Sequence, residues 1–122
     1  MDSLEQLLRS YQNLAPGWDG YSGVPAHPCS VEDALVWLTT LPADNPQPLS
    51  MLAGDGEVSL YWSCPEGIYL EVSFPGDATC HFIANRDFER YGSNDLPLLI
   101  AAQDSEFLRF YNLATEKKRH EN

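Results

Sequence analysis

Apolar positions near the N-terminus recur at helical spacing. Leu4, Leu7, Leu8, Tyr11 and Leu14 form one stripe, with Glu5, Arg9 and Asn13 pointing elsewhere. Ser3 and Gln6 make a capping box at its start, and Pro16-Gly17 ends it. A second stripe, Ala34, Leu35, Trp37, Leu38 and Leu41, opens on Ser30 as N-cap, with Asp33 at N3, and closes at Pro42. Between the two helices, residues 15–30 hold Gly17, Gly20, Gly23, Pro16, Pro25 and Pro28, which forbid a regular helix or strand. Trp18, Tyr21 and Val24 call for burial, so the pattern predicts an ordered loop pinned to the core by its aromatics. Pro42 to Pro48 predicts a stiff connector of extended polyproline character.

From Leu49 the period changes to two. Met51–Ala53, the turn Gly54-Asp55-Gly56 and Glu57–Trp62 predict a hairpin with Val58, Leu60 and Trp62 on one face. Pro65-Glu66-Gly67 turns the chain into Ile68–Phe74, with Ile68, Leu70, Val72 and Phe74 inward and Tyr69, Glu71 and Ser73 outward. Pro75-Gly76-Asp77 turns it again into Thr79–Ala84. Links this short demand antiparallel neighbours. Arg86–Gly92 mixes polar and aromatic residues and predicts a loop or short edge element. Asp95 is the expected N-cap of a last helical stripe, Leu96, Leu99, Ile100, Gln103, Phe107, Phe110, Tyr111 and Ala114, which Asp104-Ser105 can break in two.

The fold class expected is therefore α+β. An antiparallel meander of three to four strands carries the N-terminal helices and the C-terminal helix on one face. One domain spans 1–116, and 117–122 forms a basic, frayed tail. Lys117, Lys118 and Arg119 there also complement the dipole of the preceding helix.

Composition narrows the function classes. Hydrophobic residues make up 43% of 122, enough for a core and too many for a disordered chain. No apolar run approaches the ~18–20 residues of a membrane span, and Met1-Asp2-Ser3-Leu4-Glu5 lacks the basic start of a signal peptide, so a cytoplasmic setting is expected. The formal charge is −11. With three of the cations at the C-terminus, Arg9, Arg86, Arg90 and Arg109 alone oppose the carboxylates of the folded part. Such a chain is repelled by nucleic-acid phosphates and attracted to cationic partners.

Catalytic chemistry finds little support in the residues. Cys29, Cys64 and Cys80 are odd in number and irregular in spacing, which is not a disulfide framework. Cys80 and His81 are adjacent in a strand and point to opposite faces, so they are poorly placed to ligate one ion. His27 and Cys29 share a proline-rich loop without a nucleophile elbow, and Gly54-Asp55-Gly56 lacks the lysine and helix of a phosphate loop. No cofactor or metal is expected. In Gly17-Trp18-Asp19-Gly20-Tyr21, Asp19 can accept backbone N–H bonds and fix a tight turn while Trp18 packs on the first helix. The alternative role of Trp18, Asp19 and Tyr21 is an exposed aromatic and carboxylate patch, since Trp and Tyr are favoured interface anchors.

On these residues the chain resembles a group of small bacterial and prophage proteins with a Trp-Asp-Gly-Tyr loop, a proline-flanked helix and a downstream Asp-Gly-Glu-Val strand. The matching pieces are Gly17–Tyr21, Pro25, Ala34–Pro42, Asp55–Val58 and Trp62, all within residues 10–75. The resemblance implies a mobile-element setting and brings no catalytic residues with it. The expected function is a non-enzymatic acidic binding protein of phage or prophage origin. It would inhibit a host nucleic-acid-binding or defence factor, in the general manner of anti-CRISPR proteins. Asp55, Glu57, Glu66, Glu71 and Asp77 would mimic a phosphate track toward a basic protein surface, with Tyr61 and Tyr69 as apolar anchors. One alternative is an antitoxin or immunity protein that neutralises a basic toxin. Another is a thiol-dependent enzyme using Cys29 with His27. No direct nucleic-acid or membrane partner is expected, and the chain is taken as a monomer or homodimer.

Overall fold

Five strands, β1 (Leu49–Leu52), β2 (Val58–Cys64), β3 (Ile68–Phe74), β4 (Thr79–Arg86) and β5 (Glu89–Pro97), form one antiparallel sheet whose spatial order is the sequence order. The computed structural model describes residues 3–42, 46–64, 67–86 and 89–120, without the side chains of Cys64 and of residues 116–120. Helices α1 (Ser3–Ser10), α2 (Pro28–Leu38), α3 (Leu98–Ala101) and α4 (Ser105–His120) complete the α+β architecture. The first helical stripe ends earlier than its spacing predicts, in a 3-10 turn over Tyr11–Asn13. Residues 43–45 of the proline-rich connector, and Pro65-Glu66 of the second turn, lie outside the described residues.

The alternation in β2, β3 and β4 sorts the side chains as read. Val58, Leu60, Trp62, Leu70, Val72, Phe74, Cys80, Phe82 and Ala84 are buried beneath the helices. Trp37 of α2 sits at the centre of an aromatic cluster, with ring centroids 6.3 Å from Trp62, 5.6 Å from Phe74 and 5.6 Å from Phe107. Its indole N–H is buried without a hydrogen-bond acceptor among the described residues. Phe107 continues the cluster to Phe82 and Tyr111, and Tyr111 to Trp62, so α4 packs on the same face.

The sheet has one strand more than the upper expectation. β5 is the addition, where a loop or short edge element was expected. Its sequence is polar because an edge strand buries little: Tyr91 packs on Phe110 of α4, Leu96 reaches the core, and the rest is backbone pairing with β4. Asp95 is not an N-cap. It lies within β5 at φ 58, beside the register shift between Cys80 and Phe82, and its N–H donates to His81 Nδ1 at 3.2 Å. An extra residue bulged out of an edge ladder accounts for that left-handed conformation. The cap of α4 is instead Asp104, whose carboxylate accepts the amides of Glu106 (3.1 Å) and Phe107 (3.0 Å), so the break at Asp104-Ser105 is real.

Ser30 is not an N-cap either. The helix begins at Pro28, preceded by His27, because proline at the first helical position loses no hydrogen bond. Ser30 is therefore carried into the first turn and fully buried. Its hydroxyl donates to the Phe74 carbonyl (2.6 Å) and accepts from the Val58 amide (2.9 Å), residues that face each other across β2 and β3. Asp33 accepts the amide of Ala78 (2.9 Å) in the β3–β4 turn, where Ala78 holds φ 67. Two short side chains thus fasten α2 to the sheet. Replacing Ser30 by Ala leaves a buried amide and a buried carbonyl without this partner. The expected loss is about 3 kcal/mol of unfolding free energy, read as a fall in the urea midpoint with an unchanged m-value.

Candidate recognition surface

Residues 15–27 are built around one carboxylate. Asp19 Oδ1 accepts the amides of Tyr21 and Gly23, both at 3.0 Å, and closes a tight Asx turn. Gly17 N–H donates to the Gly23 carbonyl at 2.7 Å, and the Trp18 indole N–H donates to the Val24 carbonyl at 2.6 Å. A Cβ on Gly23 would lie 2.6 Å from the Asp19 carboxyl group, so the loop closes only around glycine there. The turn role read for Asp19 is observed. The burial expected of Tyr21 and Val24 is not. Both side chains are exposed, because the loop folds on Asp19 and on its own backbone instead of on an aromatic core. Trp18 is half-buried.

The loop is fastened to the β1–β2 turn. Val24 N–H donates to the Gly54 carbonyl (2.9 Å) and His27 N–H to the Gly56 carbonyl (3.1 Å). Gly56, at φ +90, has His27 ring atoms 2.9 Å and the Pro25 carbonyl oxygen 3.0 Å from where a Cβ would stand. The turn between β3 and β4 belongs to the same end of the sheet, since Val58 faces Phe74. There Gly76 lies against Cys29 at the start of α2.

Three of the carboxylates read as candidates gather at this end. Asp55 accepts the Glu57 amide at 3.1 Å, and Asp77 accepts both the amide (3.2 Å) and the hydroxyl (2.5 Å) of Thr79. Those bonds, the Thr79 hydroxyl first, hold the Asp77 carboxyl below its ordinary pKa. Glu57 is shifted the other way. Partial burial raises its pKa first, followed by the charges of Asp55, Glu71 and Asp77, with His81 opposing. Glu57 is thus the carboxylate that senses the others.

The solvent-facing side of the sheet is less acidic than a phosphate track. The register sets Leu49, Tyr61, Glu71 and Ile83 in one row, and Met51, Ser59, Ser73 and His81 in the next. Tyr61 and Tyr69 pack with ring centroids 5.9 Å apart. Glu71 accepts the Tyr69 hydroxyl at 2.7 Å and the Ser73 hydroxyl at 3.2 Å, while burial and then Glu71 push the Tyr69 phenol above its ordinary pKa. Tyr61, Tyr69 and Glu71 therefore form an aromatic and carboxylate patch in mid-sheet, and Asp55, Glu57 and Asp77 form an anionic rim at its end. Glu66 lies outside the described residues. His81, considered in the sequence only as a poor metal ligand opposite Cys80, joins this face as strict alternation in β4 requires.

The two described thiols lie in different environments. Cys29 is exposed in the first turn of α2. Cys80 is buried, and that burial, followed by the Asp33 charge, pushes its thiol up to about 12. Among the described residues no three His, Cys, Asp or Glu side chains converge to hold a metal ion, and no helix is long and apolar enough to cross a membrane. No protein-family model, curated protein or solved structure matches this chain.

Two outcomes are expected. Gly56→Ala forces a methyl against Pro25 and His27 at a φ that L-residues avoid, and should lower stability by about 2–3 kcal/mol in urea unfolding. Glu57→Gln acts through pH. A carboxyl whose folded-state pKa is raised stabilises the fold below the ordinary glutamate range and loses that contribution as pH climbs through the raised value. The variant should therefore be the more stable protein near about pH 7 and match the parent near about pH 3, as urea midpoints at the two pH values will show.

Proposed function

We propose that this protein is a non-catalytic binding protein that receives a positively charged protein surface on the acidic end of its sheet. The observation that carries the reading is charge segregation. Asp19, Asp55, Glu57, Asp77 and Asp95 belong to the loop, the turns and β5 at one end of the sheet, and Asp33 of α2 bonds the β3–β4 turn there. Arg86 and Arg90 face Glu89 and Asn85 at the other end, and Arg109 stacks on Tyr91 and Phe110. Arg9 is held by Glu5 and Glu32 on the helices. An anionic rim beside a tyrosine patch attracts a basic surface at long range and gives it an apolar anchor at short range.

The same anionic rim repels nucleic acid and competes for the proteins that bind it. In the prophage setting implied by the sequence resemblance, the reading narrows to inhibition of a host nucleic-acid-binding or defence factor by occupation of its basic groove.

The test separates location from net charge. In Asp55→Asn/Glu57→Gln/Asp77→Asn, both asparagines keep the oxygen that closes the turn while the rim loses three charges. Glu5→Gln/Glu32→Gln/Glu106→Gln removes three charges elsewhere. Titrated against protamine by calorimetry at low salt, the rim variant should bind at least about tenfold more weakly than the control, and the gap should shrink as salt is raised. Equal losses in the two variants would remove the acidic end as the docking site.

A further inference from the structure

Tyr21 has no structural use for its ring. Its amide helps close the Asp19 turn, a service any residue with an N–H supplies, while its side chain is 87% exposed. The chain's other tyrosines are half-buried or buried. The loop around it is held by bonds at Gly17, Trp18, Gly20, Asp19 and Gly23, so the ring projects from fixed backbone. A tyrosine with two side-chain torsions on such a support makes contact at low entropic cost. Its surroundings are anionic. Asp19 bonds its own amide, and the turn on which the loop is docked carries Asp55.

We propose that Tyr21 is a preformed anchor for an arginine side chain of a partner protein. The guanidinium stacks on the exposed phenol ring, with Asp19 and Asp55 as the nearby countercharge. The inference rests on the acidic-end reading and deepens it by naming the cation. Arginine is favoured over lysine because its planar, weakly hydrated group can stack on an aromatic face while its N–H fork still meets carboxylates. An ammonium stays a hydrated point charge. The anionic neighbours disfavour a nucleic-acid phosphate or an acidic lipid as the occupant.

The probes are N-acetylated, C-amidated hexa-arginine and hexa-lysine peptides, titrated into the full chain at low ionic strength and followed by NMR chemical shifts. Hexa-arginine should bind about three- to tenfold more tightly than hexa-lysine. Tyr21→Ala should bring hexa-arginine down to the hexa-lysine affinity and leave hexa-lysine binding unchanged. Tyr21→Phe should keep the preference, because stacking uses the ring and not the hydroxyl. Equal affinities for the parent protein, or a preference that survives Tyr21→Ala, would overturn the assignment and leave the acidic-end reading standing. If neither peptide binds, both are overturned. A fall in the thermal midpoint of Tyr21→Ala would show that the ring is structural, and would also overturn the proposal.

Discussion

The buried hydroxyl of Ser30 is the joint on which the arrangement depends. A helix laid across a sheet needs only apolar contact to stay there, and such contact is tolerant of sliding. A side chain bonded to the backbone of two neighbouring strands is not tolerant. Ser30 meets Val58 and Phe74 at one facing pair, and Asp33 reaches the next turn, so the start of α2 is fixed to one end of the sheet. The loop that precedes α2 inherits that position. From there its amides reach the β1–β2 turn, and the anionic segments become neighbours.

Much of this was legible in the residues. The strands β2, β3 and β4 have an apolar face that must be buried and a polar face that must not, and a period of two admits one assignment. The break between α3 and α4 was legible because aspartate caps helices better than it continues them. What escaped had weaker signals. β5 places Tyr91, Ser93 and Leu96 toward the core, too sparse a pattern for a strand, and draws its stability from pairing with β4. The serine cap signal at Ser30 lies two residues inside the true start of α2, which Pro28 sets. Tyr21 was assigned to the interior because it is aromatic, and periodicity has no reading for a side chain on a glycine-rich loop.

Of the candidate site, the turn carboxylates were legible as turn residues and their convergence was not. Asp55 and Asp77 each bond the amide two residues on, a local act that sequence shows. That both turns share an end of the sheet follows from strand order. That Glu57 feels Asp55, Glu71 and Asp77 follows from its partial burial beside them at that end of the sheet. Glu71, named with the turn carboxylates as part of a phosphate-mimicking track, accepts hydrogen bonds from Tyr69 and Ser73 beside the Tyr61 ring, a pairing that register and not spacing along the chain sets.

Because spatial order follows chain order, each strand can zip onto its predecessor after a short closure, and the sheet grows by successive hairpins with little loop entropy to overcome at any step. The helices are the exception. Ser30 meets Phe74 across 44 residues of chain, the separation of two elements that no hairpin brings together. Asp33 meets Ala78 and Trp37 meets Phe107 over still longer stretches, so the entropy of assembly is concentrated in docking the helices and not in growing the sheet.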